Sequence, residues 1–201
     1  LAAFNQLGYS VEWRVINAAD YGRAQRRRRV FFFVFRNDTK WGERLHTKYE
    51  ATLSNDADLN ARLDCYAPYI FEDGLFGRQF PVKNEAVKKR INANKLDEDI
   101  AEVSANFSDG KMWNSGLMTN GYYYTIETEP KGDEEPIPMK KIVVKENQVP
   151  EDYYVDGEKL EKFKYLRGPK KITRTAANGH TYTFSEGGMS EYDSLELPGR
   201  T

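Results

Sequence analysis

The sequence is poor in the residues that build cross-links and metal sites: among its 201 residues are one cysteine, Cys65, and two histidines, His46 and His180. A single thiol excludes an intrachain disulfide framework, and so few soft ligands do not make a zinc site. No apolar run approaches the ~20 residues that span a bilayer, and residues 1–8 lack the basic segment and cleavage site of a signal peptide. A soluble, cytoplasmic protein without membrane or metal partners is therefore the expectation. An excess of charge of one sign is lacking too. With 30 Lys plus Arg against 31 Asp plus Glu, the chain as a whole does not attract nucleic acid, and any such affinity must come from local clustering.

What is present begins with hydrophobic pattern. Residues 1–7 read as a helix ended by Gly8. Residues 9–17 alternate Val11, Trp13 and Val15 against Glu12 and Arg14, the period-2 mark of a strand. Residues 18–24 hold a turn around Asp20-Tyr-Gly22. The aromatic run Val30-Phe-Phe-Phe-Val-Phe35 is what a strand buried on both faces of an α/β sheet requires. From 36 to 77 the pattern loosens into what reads as a variable insertion, with a helix over 52–64 capped by Asn55 or Asp56 and breaks at Pro68, Gly74 and Gly77. Helices are expected over 81–90 and over 95–107, the latter on the spacing of Leu96, Ile100, Val103 and Phe107. Beyond Gly110 come short β segments at 121–126, 141–145, 170–174 and 180–184, with a proline-rich acidic loop at 129–138. The chain lacks an initiator Met, opens within a helical pattern and closes on Pro198-Gly-Arg-Thr201, which reads as a piece of a longer protein.

The densest local signal is Arg23-Ala-Gln-Arg-Arg-Arg-Arg29, five arginines in seven residues ahead of the aromatic run. If the strand extends back through it, alternation places Gln25, Arg27 and Arg29 on one face and Arg26 and Arg28 on the other. One face then presents an amide and two guanidiniums, whose paired donors suit phosphate oxygens or the carbonyl of a base edge. A solvated basic patch is the alternative from composition alone.

Asn17-Ala-Ala-Asp-Tyr-Gly22 followed by Gln25-Arg-Arg-Arg-Arg-Val-Phe31 resembles, without a gap, a block of the bacterial cytosine-C5 DNA methyltransferases that combines an Asn-Ala-x-Asp-Tyr-Gly turn, Gln-x-Arg-x-Arg and an apolar strand. The resemblance implies that Gln25, Arg27 and Arg29 line the active site, Arg29 contacting a flipped-out cytosine, Arg27 acting as its partner and Gln25 orienting both. Such enzymes extrude the base before reacting with it. The tail segment Gly179-His-Thr-Tyr-Thr-Phe-Ser-Glu-Gly-Gly-Met189 and Leu197-Pro-Gly-Arg-Thr201 resembles a stretch of some members in which the final Thr approaches the DNA backbone.

The same resemblance defines what the chain does not carry. The family's nucleophilic cysteine follows a proline, whereas Cys65 sits in Leu63-Asp-Cys-Tyr66 and reads as a packed thiol. No glycine-rich loop for S-adenosylmethionine follows a strand. The fragment alone is expected to be silent, while the intact enzyme flips cytosine in a specific sequence of double-stranded DNA and methylates C5, in restriction-modification and as a monomer. The implied fold is α/β: the terminal strands of a Rossmann-like methyltransferase sheet over 1–80, with the insertion at about 37–78, and a smaller, irregular, mostly-β target-recognition domain over 81–201. Residue chemistry nominates Arg26, Asn114, Ser115, Lys170, Lys171, Arg174, Ser185 and Arg200 for DNA contacts, since Asn suits adenine, Arg guanine and Lys phosphate, and the resemblance adds Thr201. A non-catalytic nucleic-acid-binding module is the rival. A nuclease ranks behind it, since Asp56, Asp58 and Asp64 are spaced like surface residues.

Overall fold

A computed structural model describes residues 1–54, 56–83, 90–96, 112–176, 179–186 and 195–200. The chain is mixed α/β. A short helix α1 (Ala2–Gln6) ends at Gly8, whose φ of 75° is the left-handed conformation glycine adopts without penalty. Strand β1 (Tyr9–Asn17) follows, matching the alternating segment residue for residue. A 3₁₀ turn at Ala18–Tyr21 leads to β2 (Gln25–Arg26) and β3 (Arg28–Arg36). With β4 (Ile91–Lys95), β5 (Ser115–Thr119) and β6 (Tyr122–Ile126), β1 and β3 build a five-stranded sheet of order β3-β1-β5-β6-β4. Every pairing in it is antiparallel. Asn120 and Gly121, with φ of 46° and 79°, form the two-residue turn between β5 and β6, as an Asn-Gly pair favours. Among the described residues no helix is long and apolar enough to cross a membrane.

The two opening strands exchange the places their composition suggests. β3, expected to be buried on both faces, is the outer strand: Val30, Phe31 and Phe32 are 51%, 46% and 57% exposed. Only its distal half is covered, where Trp41 of α2 (Lys40–Tyr49) packs edge-on against Phe33. β1, with charged residues on one face, is instead flanked on both sides by strands, and Glu12 and Arg14 are 1% and 2% exposed.

The reason lies in the segment read as an insertion. It holds α2, α3 (Leu59–Pro68), a π turn at Tyr69–Asp73 and α4 (Leu75–Gln79). Leu45, Tyr49, Leu63, Tyr66, Tyr69 and Ile70 form the main core together with Leu117, Tyr124 and Ile126 of the sheet. Far from being an appendage, these helices supply half of the core. The cap of α3 is Asp58, which accepts from the Ala61 amide at 2.8 Å, two residues after the expected Asp56.

Glu12 and Arg14 tie this layer to β1. The Glu12 carboxylate accepts from the Leu75 and Phe76 amides, both at 2.9 Å, and from the Tyr69 hydroxyl. Arg14 donates to the carbonyls of Ile70, Phe76 and Phe80. Burial raises the Glu12 pKa, opposed by those amides and by Arg14, and burial lowers that of Arg14. The space between them is tight: a Cβ on Gly74 would lie 2.5 Å from the Glu12 carboxylate.

Beyond β6 the chain changes character. Residues 141–145, expected as a strand, follow a 3₁₀ turn at Met139–Lys141 and pair with no described strand. Helix α5 (Gly157–Arg167) has no buried residue. β7 (Lys170–Thr175) and β8 (Thr181–Glu186) make a separate two-stranded ribbon, on the segments read as strands. Pro81–Lys83 is extended rather than helical, Val82 bridging to Pro130, and the rest of that expected helix lies outside the described residues. Of the helix expected over 95–107, Lys95 belongs to β4 and positions 97–107 lie outside the described residues.

Candidate nucleic-acid interface

The arginine run is placed by the turn that precedes it. Asn17 donates from Nδ2 to Asp20 Oδ1 at 2.8 Å, closing the turn, and Gly22 reverses the chain with φ of 71°. A Cβ at position 22 would also meet the Glu134 carboxylate at 2.4 Å, a contact that flexible side chain can relieve, so it is the positive φ that calls for glycine. Tyr21 packs edge-on against Phe80, ring centroids 5.1 Å apart, and burial raises its pKa.

These elements enclose a cavity of about 420 Å³. Gln25, Arg27 and Arg29 all line it, as alternation requires, together with Arg23, Tyr21, Phe31 and Phe80. Glu134, from the acidic loop, is the one acid on its wall. The site thus offers several guanidiniums and an amide beside two aromatic rings, a surface suited to an anionic or carbonyl-bearing planar ligand.

Arg26 and Arg28 point elsewhere. Arg26 donates from Nε to the Pro198 carbonyl at 3.0 Å. Arg28 lines a second cavity of about 260 Å³ with Arg14, Asn17, Asn114 and Thr128; Arg14 Nε and Asn17 Oδ1 are buried without a hydrogen-bond partner among the described residues.

The tail comes back to this place. β9 (Gly199–Arg200) pairs in parallel with β2, Gln25 opposite Gly199 and Arg26 opposite Arg200. The Gly199 amide donates to the Ala24 carbonyl at 2.7 Å, and the amides of Met139 and Lys140 donate to the carbonyls of Leu197 and Leu195. The two stretches on which the family resemblance rests are therefore neighbours, though some 170 residues separate them. Thr201 lies outside the described residues.

The remaining nominated residues divide. Ser115 is fully buried and shares a hydrogen bond with the Thr128 hydroxyl at 2.6 Å. Asn114 donates to the Thr128 carbonyl at 2.7 Å and accepts from its amide at 2.8 Å. Both use these polar groups to fasten the end of the sheet to Thr128. Lys170, Lys171, Arg174 and Ser185 lie on the ribbon β7–β8, which pairs with no described strand of the main sheet. Cys65 is a packed thiol, donating to the Tyr49 carbonyl at 3.0 Å. Among the described residues no group of His, Cys, Asp or Glu could hold a metal ion. Sequence reasoning missed Phe80 and Glu134 as cavity walls; both reach it from distant segments with no local motif.

The family model for C-5 cytosine-specific DNA methylase matches residues 1–187. The chain is 46% identical over all of its 201 residues to the Type II methyltransferase M.Sau3AI of Staphylococcus aureus, covering 44% of that protein. It thus spans less than half the length of this curated relative. A search of solved structures finds no match. Because that family model covers well over half of the chain, including the turn, the arginine run and the five-stranded sheet, the chain belongs to the C-5 cytosine-specific DNA methylase family.

Proposed function

We propose that this chain is the part of a DNA (cytosine-5)-methyltransferase that receives the flipped cytosine and reads the surrounding sequence, serving bacterial restriction-modification in the cytoplasm as a monomer. The single observation that carries the reading is the convergence of Gln25, Arg27 and Arg29 on one cavity. In this reading residues 1–80 contribute the terminal part of a Rossmann-like sheet and the base pocket, and residues 81–201 contribute target recognition, with β4 to β6 extending the sheet.

Arg29 donates to the cytosine carbonyl and stabilises the charge that develops when the ring is attacked. Arg27 holds the neighbouring phosphate, and Gln25 keeps the two guanidiniums apart and oriented. Phe31 and Phe80 give the base an apolar wall, which offsets part of the unstacking cost of flipping. S-adenosylmethionine is the family's methyl donor, but this cavity does not fit it: a sulfonium cation would face several arginines. The donor is assigned to residues other than these, and Cys65 is not assigned as the nucleophile.

The test is transfer of labelled methyl from S-adenosylmethionine to plasmid DNA by the full-length protein, with bisulfite sequencing of the product. Methylcytosine within one short motif is expected. Duplex binding without any methyl transfer would instead favour a non-catalytic binding module.

A further inference from the structure

The pairing of β2 with β9 joins the arginine cavity to the tail, and one side chain carries much of the join. β2 is two residues long, and among the described strands it pairs with β9 and with no member of the five-stranded sheet. The segment that brings Gln25 and Arg27 to the cavity is thus ordered against the tail rather than against the main sheet. Alternation turns Gln25 and Arg27 one way and Arg26 the other. Gln25 and Arg27 are exposed on the cavity wall, whereas Arg26 is half-buried.

Arg26 reaches into the tail. Its Nε donates to the carbonyl of Pro198, a buried residue, at 3.0 Å, and the charge of the donor strengthens that bond. From the opposite strand the Gly199 amide donates to the Ala24 carbonyl at 2.7 Å. The tail is fastened in turn on its other side: the Met139 and Lys140 amides donate to the Leu197 and Leu195 carbonyls, and Lys140 pairs with Glu196. A connected set of bonds therefore runs from residues 139–140 through 195–199 to β2. With two residues in each strand, this pairing is short enough to open without unfolding the sheet. The bonds of Arg26 and Gly199 decide whether it holds.

We propose that Arg26 is a positioning residue: through the Pro198 carbonyl it locks β2 to the tail, so that Gln25 and Arg27 take their working places in the cavity only while the 195–200 segment is seated. Its neighbours in the run face the ligand, and Arg26 acts through them. A misplacement of about 1 Å costs a catalytic step up to about a hundredfold, so a bond this far from the reacting atoms still governs turnover. The inference rests on the reading that this cavity receives the flipped base.

The experiment uses the full-length protein and duplexes carrying its methylated motif, with 2-aminopurine in place of the target base to report flipping by fluorescence. Arg26→Met removes the Nε donor at similar side-chain length; it should lower kcat about ten- to a hundredfold and reduce the fluorescence gain, with KM for duplex changed less than about threefold. Arg26→Gln returns an uncharged N–H donor to the place of Nε and should keep kcat within about threefold of wild type. Gly199→Pro, which removes the amide that bonds Ala24, should reproduce the fall in kcat, and its effect should be less than multiplicative with that of Arg26→Met. Wild-type kcat in Arg26→Met, or equal losses in the Met and Gln variants, would overturn the proposal; equal losses that lie in KM, with a salt slope reduced by about 1, make Arg26 a phosphate contact instead. Hydrogen exchange separates failure here from failure of the enzymatic reading. Exchange over residues 23–27 should quicken in Arg26→Met even if the wild type transfers no methyl, which sinks the enzymatic reading alone, whereas unchanged exchange sinks the lock.

Discussion

Residues 9–126 and residues 139–185 use side chains in opposite ways. In β5 all five residues are buried, and β1 encloses even a carboxylate and a guanidinium. From Met139 to Ser185 no described residue is buried, and Tyr153, Phe163, Tyr165 and Tyr182 stand in the open. Ordering a residue costs about 1–2 kcal/mol of backbone entropy, and only the first region has the burial to offset it internally. The second draws its order from local pairing and from what it contacts. The arginine cavity lies where the two meet, since its floor is β2 and β3 while the tail stitched to residues 139–140 closes β2 from the side. Under the proposed function, the rigid scaffold holds the base pocket and the more open surface serves recognition.

The largest test of this contrast is the buried pair. Glu12 and Arg14 attract each other and are each bonded to backbone groups, and removing one of two such buried charges costs on the order of 3–5 kcal/mol, because the other is left less compensated. Glu12→Leu should lose about that much in chemical denaturation, since it strands Arg14 and uncaps α4. Glu12→Leu with Arg14→Met should recover much of the loss. A loss below about 1 kcal/mol for the single variant would mean that β1 is not the anchored centre described here.

Next comes the junction itself. Arg29→Ala should lower methyl transfer by the full-length protein about 10²–10³-fold, the usual cost of removing one preorganised donor, with a much smaller change in duplex affinity. Wild-type turnover would remove Arg29 from the base pocket.

A single substitution made in both regions sharpens the comparison further. Gly116 lies under Trp13, and a Cβ there would come within 2.1 Å of the indole and 2.5 Å of the Tyr124 carbonyl. Gly116→Ala should therefore cost about 1–3 kcal/mol or more by overpacking. Gly157, the first residue of α5, has nothing within 4 Å, so Gly157→Ala should be neutral or stabilising by less than about 1 kcal/mol. Equal thermal shifts for the two variants would erase the distinction.

The parts legible in the sequence were those set by local periodicity. β1, the Gly8 stop, the alternation of Gln25, Arg27 and Arg29 and both ribbon strands follow from spacing alone. What was not legible depends on partners far along the chain. Glu12 and Arg14 have the pattern of a solvated face, but the amides and carbonyls that satisfy them lie 56 to 66 residues away. The Phe run has the composition of a central strand, yet apolar content cannot tell an outer strand from an inner one. Asn114 was nominated for its paired hydrogen bonds, and that it makes such a pair with Thr128, fourteen residues on, has no local signal. Residues 141–145 have strand propensity without a neighbour to pair with.

The smallest expected effect separates ion pairs of the two regions. Asp73 accepts from Lys48 and from the Tyr49 hydroxyl, and these bonds, led by that of Lys48, hold its pKa below the ordinary carboxylate value. A carboxylate depressed in the folded state contributes stability that is complete above its unfolded pKa of about 3.9 and is lost as pH falls through the folded value. Denaturation midpoints should therefore fall less steeply below pH ~4 in Asp73→Asn than in wild type, with a difference under about 1 kcal/mol because the group is partly exposed. Glu161, paired with Lys164 at 2.7 Å on the open face of α5, should show no such change when replaced by Gln, since solvent screens that pair and no buried hydroxyl supports it. If both variants flatten the acid limb alike, then the partial enclosure of Asp73 between α2 and α4 adds nothing to the pair, and burial in the first region stops short of its surface charges.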